Sequence, residues 1–102
     1  MGTKAGRRAA RERVHAYHQA QLAELLSHVI AALDRYRDGA IGACAVDETI
    51  HHYHRATMAL WKFCFSPGGG SHAEIVTGSL DRMAADGETT GWWDRGTPRR
   101  RQ

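Results

Sequence analysis

The sequence predicts an all-α protein, either a three-helix bundle or a long helical hairpin with a third helix added, that self-associates. Three observations carry that expectation. The first third of the chain is rich in Ala, Arg, Gln, Glu and Leu, all good helix formers, up to Gly39. Three amphipathic segments are separated by glycine- or proline-containing breaks. No segment alternates apolar and polar residues with hairpin turn chemistry, so no strand is expected. At 102 residues, with 42% hydrophobic and 25% charged side chains, the chain has room for one modest core.

The first helix is expected from about Lys4 to Asp38, with Gly39 where a helix often ends in the left-handed conformation. Val14, Tyr17, Leu22, Leu25, Leu26, Val29, Ile30, Leu33 and Tyr36 recur at spacings of three and four, as one inward stripe would. Residues 1–13 lack the stripe and are expected to fray or project as a basic arm continuous with this helix. The second helix is expected from Val46 to Phe65, because Asp47 and Glu48 suit the positive end of a helix dipole. Ile50, Tyr53, Thr57, Leu60 and Cys64 share one face, while His51, His54, Met58, Trp61 and Phe65 share an adjacent one. So broad an apolar arc needs two neighbouring helices, or a second copy of the chain.

Ser66-Pro67 and three glycines end that helix. Ser71-His72-Ala73-Glu74 has the capping-box pattern, which starts a third helix at His72 that buries Ile75, Val76, Leu80 and Met83 and stops at Gly87. Gly68-Gly69-Gly70-Ser71 could cradle an anion at that helix start, but it lacks the Lys and the preceding strand of a P-loop, and it is taken as a linker. The domain is therefore drawn at 14–87, followed by a tryptophan-containing basic tail at 88–102. Trp92 and Trp93 are expected to fold back on the bundle or to pack on a partner. Cys44 and Cys64, at the two ends of one helix, are too far apart to bridge and are expected as small core hydrophobes.

The segment V-D-E-T-I-H-H-Y-H-R-A-T-M-A-L-W-K-F-C, the glycine-rich turn after it and the W-W-x-R-G-x-P-R-R-R ending resemble a group of small uncharacterised helical proteins from actinobacteria. The resemblance implies a bacterial, all-helical protein and brings no activity, cofactor or site residue with it.

Charge is unevenly spread. Residues 1–13 carry five basic and one acidic side chain, residues 95–102 carry four basic ones, and the segment between carries five basic and ten acidic, for a net +3. Two basic ends on an acidic body point to nucleic acid through Arg7, Arg8, Arg11, Arg99, Arg100 and Arg101, or to the body of a neighbouring copy. No run of roughly 18 apolar residues is present, so no membrane span, no leader and a cytoplasmic location are expected.

Three constellations bear on chemistry. Glu48-x-x-His51 and His51-x-x-His54 are i, i+3 pairs on one helix face, and His15-x-x-His18 is a third. Glu48, His51, His54 and His18 together would suit zinc or iron, in the manner of carboxylate-histidine bundles. Such bundles also need two further glutamates from other helices, and helix one offers only Glu24 as an inward candidate. Arg13-x4-His18 resembles the Arg-x4-His element of HEPN-type helical ribonucleases, which implies an arginine and a histidine acting on an RNA phosphate, although that family carries the element on a late helix. No nucleophile stands at a recognisable spacing from a base, so the leading expectation is a non-enzymatic binding protein forming a homodimer or larger homo-oligomer. Its contact residues are Tyr53, Met58, Trp61, Phe65, Trp92 and Trp93, and it needs no cofactor.

Overall fold

The structure is a computed structural model that describes residues 3–65, 72–88 and 90–97. Four helices follow one another: α1 Lys4–Arg37, α2 Ala43–Phe65, α3 His72–Asp86 and α4 Trp92–Arg95. Among the described residues there is no strand.

Helix α1 begins earlier in fact than its apolar stripe does. The Thr3 hydroxyl accepts a hydrogen bond from the Gly6 amide (2.9 Å), which satisfies one of the donors left over at a helix start. The basic residues from Lys4 to Arg13 are thus helical rather than a frayed arm. At the other end Gly39 takes φ +78°, and the amides of Gly39 and Ala40 close on the carbonyls of Tyr36 and Arg35. Helix α3 ends the same way, with Gly87 at φ +69° and the Gly87 and Glu88 amides on the carbonyls of Ala84 and Met83. Both glycines hold the left-handed conformation that this cap requires.

Helix α2 starts at Ala43, three residues before the position that Asp47 and Glu48 suggest. Alanine needs no dipole partner to enter a helix, so Ala43-Cys44-Ala45 supply the first turn and the two carboxylates sit in the second. The capping-box serine, Ser71, lies outside the described residues, and α3 starts at His72 as expected. There the His72 Nε2–H donates to the Phe63 carbonyl (3.3 Å), tying the start of α3 to the end of α2.

The core gathers Val14 and Leu25 of α1, Ala56, Leu60 and Cys64 of α2, Val76 and Leu80 of α3, and Trp92 of α4. Leu60 and Leu25 are almost fully enclosed, and truncating such a leucine to alanine costs about 2–5 kcal/mol. Of the two cysteines only Cys64 is a core residue. Cys44 is exposed because it sits roughly 160° around α2 from the Val46–Cys64 line. An ion pair between Arg13 and Asp81 (2.7 Å) staples α1 to α3.

Helices α1 and α2 form an antiparallel hairpin. His15 and His18 both meet the Phe65 ring, and Ala32 and Thr49 line one cavity near the turn. At 100° per residue, the α1 positions that meet α3 and α4 (Arg13, Tyr17, His28) cluster on one side, as do the α2 positions that meet them (His52, Ala56, Phe63). Both small helices therefore cover the same side of the hairpin.

Candidate functional site

The other side of the hairpin carries the first candidate site. Leu22, Leu26, Val29, Leu33 and Tyr36 of α1 follow one another at spacings of four, three, four and three. His51, His54, Met58, Trp61 and Phe65 of α2 do so at three, four, three and four. These are the spacings of a helix seam that packs against another helix. On α1 the seam centre lies roughly 150° around from the residues that meet α3 and α4, and on α2 roughly 160°. Both seams face the same way, because Leu22, Met58 and Trp61 line a common groove of about 400 Å³ with His18, Tyr53 and Thr57.

Among the described residues nothing covers this side. Met58 is 44% exposed, Trp61 47% and Ile30 58%, and Leu26, Leu33, Tyr36 and Ile50 are exposed as well. The expected inward stripe of α1 is in fact two stripes. Val14, Leu25 and Ala32 point into the core, while Leu26, Ile30, Leu33 and Tyr36 point away from it. Tyr53 and Phe65 are half-buried at the groove margin, where the Phe65 ring meets His15, His18 and Trp61. Burial and the neighbouring His15 hold the His18 imidazole below its ordinary pKa, which favours its neutral form beside these rings.

The tryptophan pair belongs to the opposite side and folds back on the bundle rather than facing outward. Trp92 is 3% exposed; its Nε1–H donates to the Tyr17 hydroxyl (2.8 Å), its ring meets Phe63, and the Arg95 guanidinium lies 5.0 Å from the ring centre. The Trp93 indole is parallel to two imidazoles, His28 at 4.0 Å and His52 at 3.8 Å between ring centres. Two imidazoles cannot both lie over one face of an indole at those separations without overlapping, so they cover opposite faces. The His52 Nε2–H also donates to the Trp93 carbonyl (2.7 Å), and the Arg55 Nε–H to the Gly96 carbonyl (2.8 Å). These two bonds hold the short α4 by its backbone.

The residues considered for metal are not brought together. His51 pairs with Asp47 (3.3 Å), His54 is exposed, His18 packs on Phe65, and Glu48 lines a cavity with His52 instead. Among the described residues no three of His, Cys, Asp and Glu form a group able to hold a metal ion. Arg13 and His18 also diverge, the first toward Asp81 of α3 and the second toward Phe65 of α2. Arg8 and Arg11 are exposed on α1, Arg7 is half-buried there, and Arg99, Arg100 and Arg101 lie outside the described residues. No helix among the described residues is long and apolar enough to cross a membrane.

The histidine whose tertiary contacts the sequence spacing does not reveal is His52. It lies about 100° around the helix from His51, and only its contact with a residue 41 positions later distinguishes it from its neighbours.

The fold and this site define a helical hairpin covered on one side by α3 and α4 and, among the described residues, open on the seam side. No protein-family model matches the chain, and comparison with curated proteins and with solved structures gives no match.

Proposed function

We propose that this protein is a helical association module in which two copies pair through the seam side of the α1–α2 hairpin to complete a four-helix bundle. The observation that carries the reading is the pair of side-by-side seams, each at alternating three and four spacing, which no described residue covers on the side away from α3 and α4. An antiparallel helix pair with two such seams is half of a bundle, and a second identical half supplies two more.

Chemistry at the margin favours a like partner. The apolar centre of Leu26, Ile30, Ile50, Met58 and Trp61 is edged by Asp34, Arg37, Asp47 and Lys62, two charges of each sign. In a two-fold arrangement with the α2 helices antiparallel, Asp47 near the start of one α2 comes level with Lys62 near the end of the other. An apolar centre with a polar, self-complementary rim is the ordinary anatomy of a specific interface. The role that follows is non-enzymatic: the paired bundle presents the exposed basic turns of α1, Arg8 and Arg11 among them, to an acidic macromolecule.

Sedimentation equilibrium over a concentration series tests the pairing. The native chain is expected to sediment as a dimer, and Leu26→Glu combined with Trp61→Glu as a monomer with unchanged helical circular dichroism, since both side chains are exposed within one copy. A native chain that stays monomeric up to its solubility limit overturns the reading.

A further inference from the structure

A second cavity lies on the α4 side of the hairpin, away from the pairing face. It measures about 470 Å³, within the roughly 300–1,000 Å³ typical of small-ligand sites. Its walls are α1 and α2 where alanines keep them slim: Ala31 and Ala32 on one side, Ala45 on the other. Ile41 of the turn closes one end. The His28–Trp93–His52 stack closes the other, and because the indole has an imidazole on each face, that wall is rigid and offers no further face for stacking.

Two opposite charges stand across this space. Arg35 comes from the α1 wall and Glu48 from the α2 wall, and among the described residues neither side chain has an ion-pair partner. They do not pair with each other, so their charged atoms are more than the 4.0 Å of an ion pair apart. Between them the lining is apolar, except for the ring edges and the Thr49 hydroxyl, which is already donated to the Ala45 carbonyl (3.1 Å). A ligand that satisfies such a site needs an anionic group for the guanidinium, a cationic group for the carboxylate, and a hydrocarbon spacer between them.

We propose that this cleft binds a short aliphatic zwitterion, its carboxylate on Arg35, its ammonium on Glu48, and its methylene chain over Ala31, Ala32 and Ala45. The charged atoms of Arg35 and Glu48 are set apart rather than paired, so the charge separation of the ligand decides the fit, and zwitterions of increasing length read it out. The ligand end nearest α4 abuts the edge of Trp93, so that indole reports occupancy.

The test is a titration of the full-length chain with glycine, γ-aminobutyrate and ε-aminohexanoate, with acetate and propylamine as single-charge controls, followed by tryptophan fluorescence and calorimetry. The zwitterion whose length fits is expected to bind about two- to fivefold more tightly than either single-charge control, because a second contact to an exposed charged side chain contributes a factor of that size. Arg35→Ala and Glu48→Ala, both at exposed positions, are each expected to weaken binding by about that factor. Equal binding of controls and zwitterions, binding untouched by either substitution, or no binding by any of the five compounds overturns the proposal. Leu26→Glu with Trp61→Glu, which removes pairing, is expected to leave this titration unchanged, so the two readings fail separately.

Discussion

Replacing Gly96 by alanine tests whether α4 is held as a docked part rather than as a loose tail. An alanine Cβ at this position would sit 2.8 Å from the Ala56 amide nitrogen, 2.9 Å from the Ala56 Cβ and 2.9 Å from the His52 carbonyl. All three belong to the backbone or the first side-chain atom of a packed helix, so none can swing aside. Gly96 has φ −83°, which alanine tolerates, and the whole penalty is therefore steric. Overpacking of this kind costs about 1–3 kcal/mol. Retreat of α4 to relieve it also stretches the His52–Trp93 and Arg55–Gly96 hydrogen bonds, each worth about 0.5–1.5 kcal/mol. A net loss of about 2–3 kcal/mol is expected, which for a chain of this size lowers Tm by roughly 8–24 °C. Thermal unfolding followed by circular dichroism measures it, with Gly42→Ala as control. There a Cβ would meet nothing within 4 Å, and a change within about 0.5 kcal/mol is expected. A Gly96→Ala chain as stable as the native one would mean that α4 does not dock on Ala56, and the description of the Trp93 stack would fall with it.

Two further outcomes follow from titrating groups. Burial pushes the Cys64 thiol up to about 11, whereas Cys44 is exposed, so iodoacetamide at mildly alkaline pH is expected to modify one thiol per folded chain and two in denaturant; two rapid modifications in the native state would contradict the burial of α2 against its neighbours. The hydrogen bond from Arg13 holds the Asp81 carboxyl below the usual carboxylate range. A folded-state pKa that is depressed stabilises the fold above the unfolded value and stops doing so as pH falls through the folded one. The Tm difference between the native chain and Asp81→Asn is therefore expected to be largest near neutral pH, small in size because both partners are exposed, and to vanish in acid. A difference that is the same at every pH would assign it to something other than this ion pair.

Much of the fold is legible in the sequence because its boundaries are marked locally. Gly39 and Gly87 stand where left-handed caps are needed, and the ends of α1, α2 and α3 fall within a residue of the expected positions. The start of α2 is less legible, since Ala43-Cys44-Ala45 carries helix propensity but no stop or start signal. Helix α4 leaves no local trace at all. Four residues cannot hold a helix by themselves, and what holds these is contact with Tyr17, His28, His52 and Ala56, between about 40 and 75 positions away along the chain. The histidines show the same limit. Spacing identifies His51 and His54 as sharing a face, and they do, but spacing does not say that the face is bare while His52 is engaged. For α1 the signal was present in finer form: Leu22, Leu26, Val29, Leu33 and Tyr36 keep a separate register from Val14, Leu25 and Ala32, so two stripes are written where one was inferred.

The three tryptophans occupy three unlike surroundings, one sealed beside a phenol, one clamped between imidazoles, one half open to solvent. Intrinsic emission from this chain is thus a composite of three independent gauges. Trp92 registers melting of the interior, Trp93 the seating of the final helix, and Trp61 the arrival of anything on the uncovered flank, and phenylalanine replacements taken one at a time would separate the channels without an added dye.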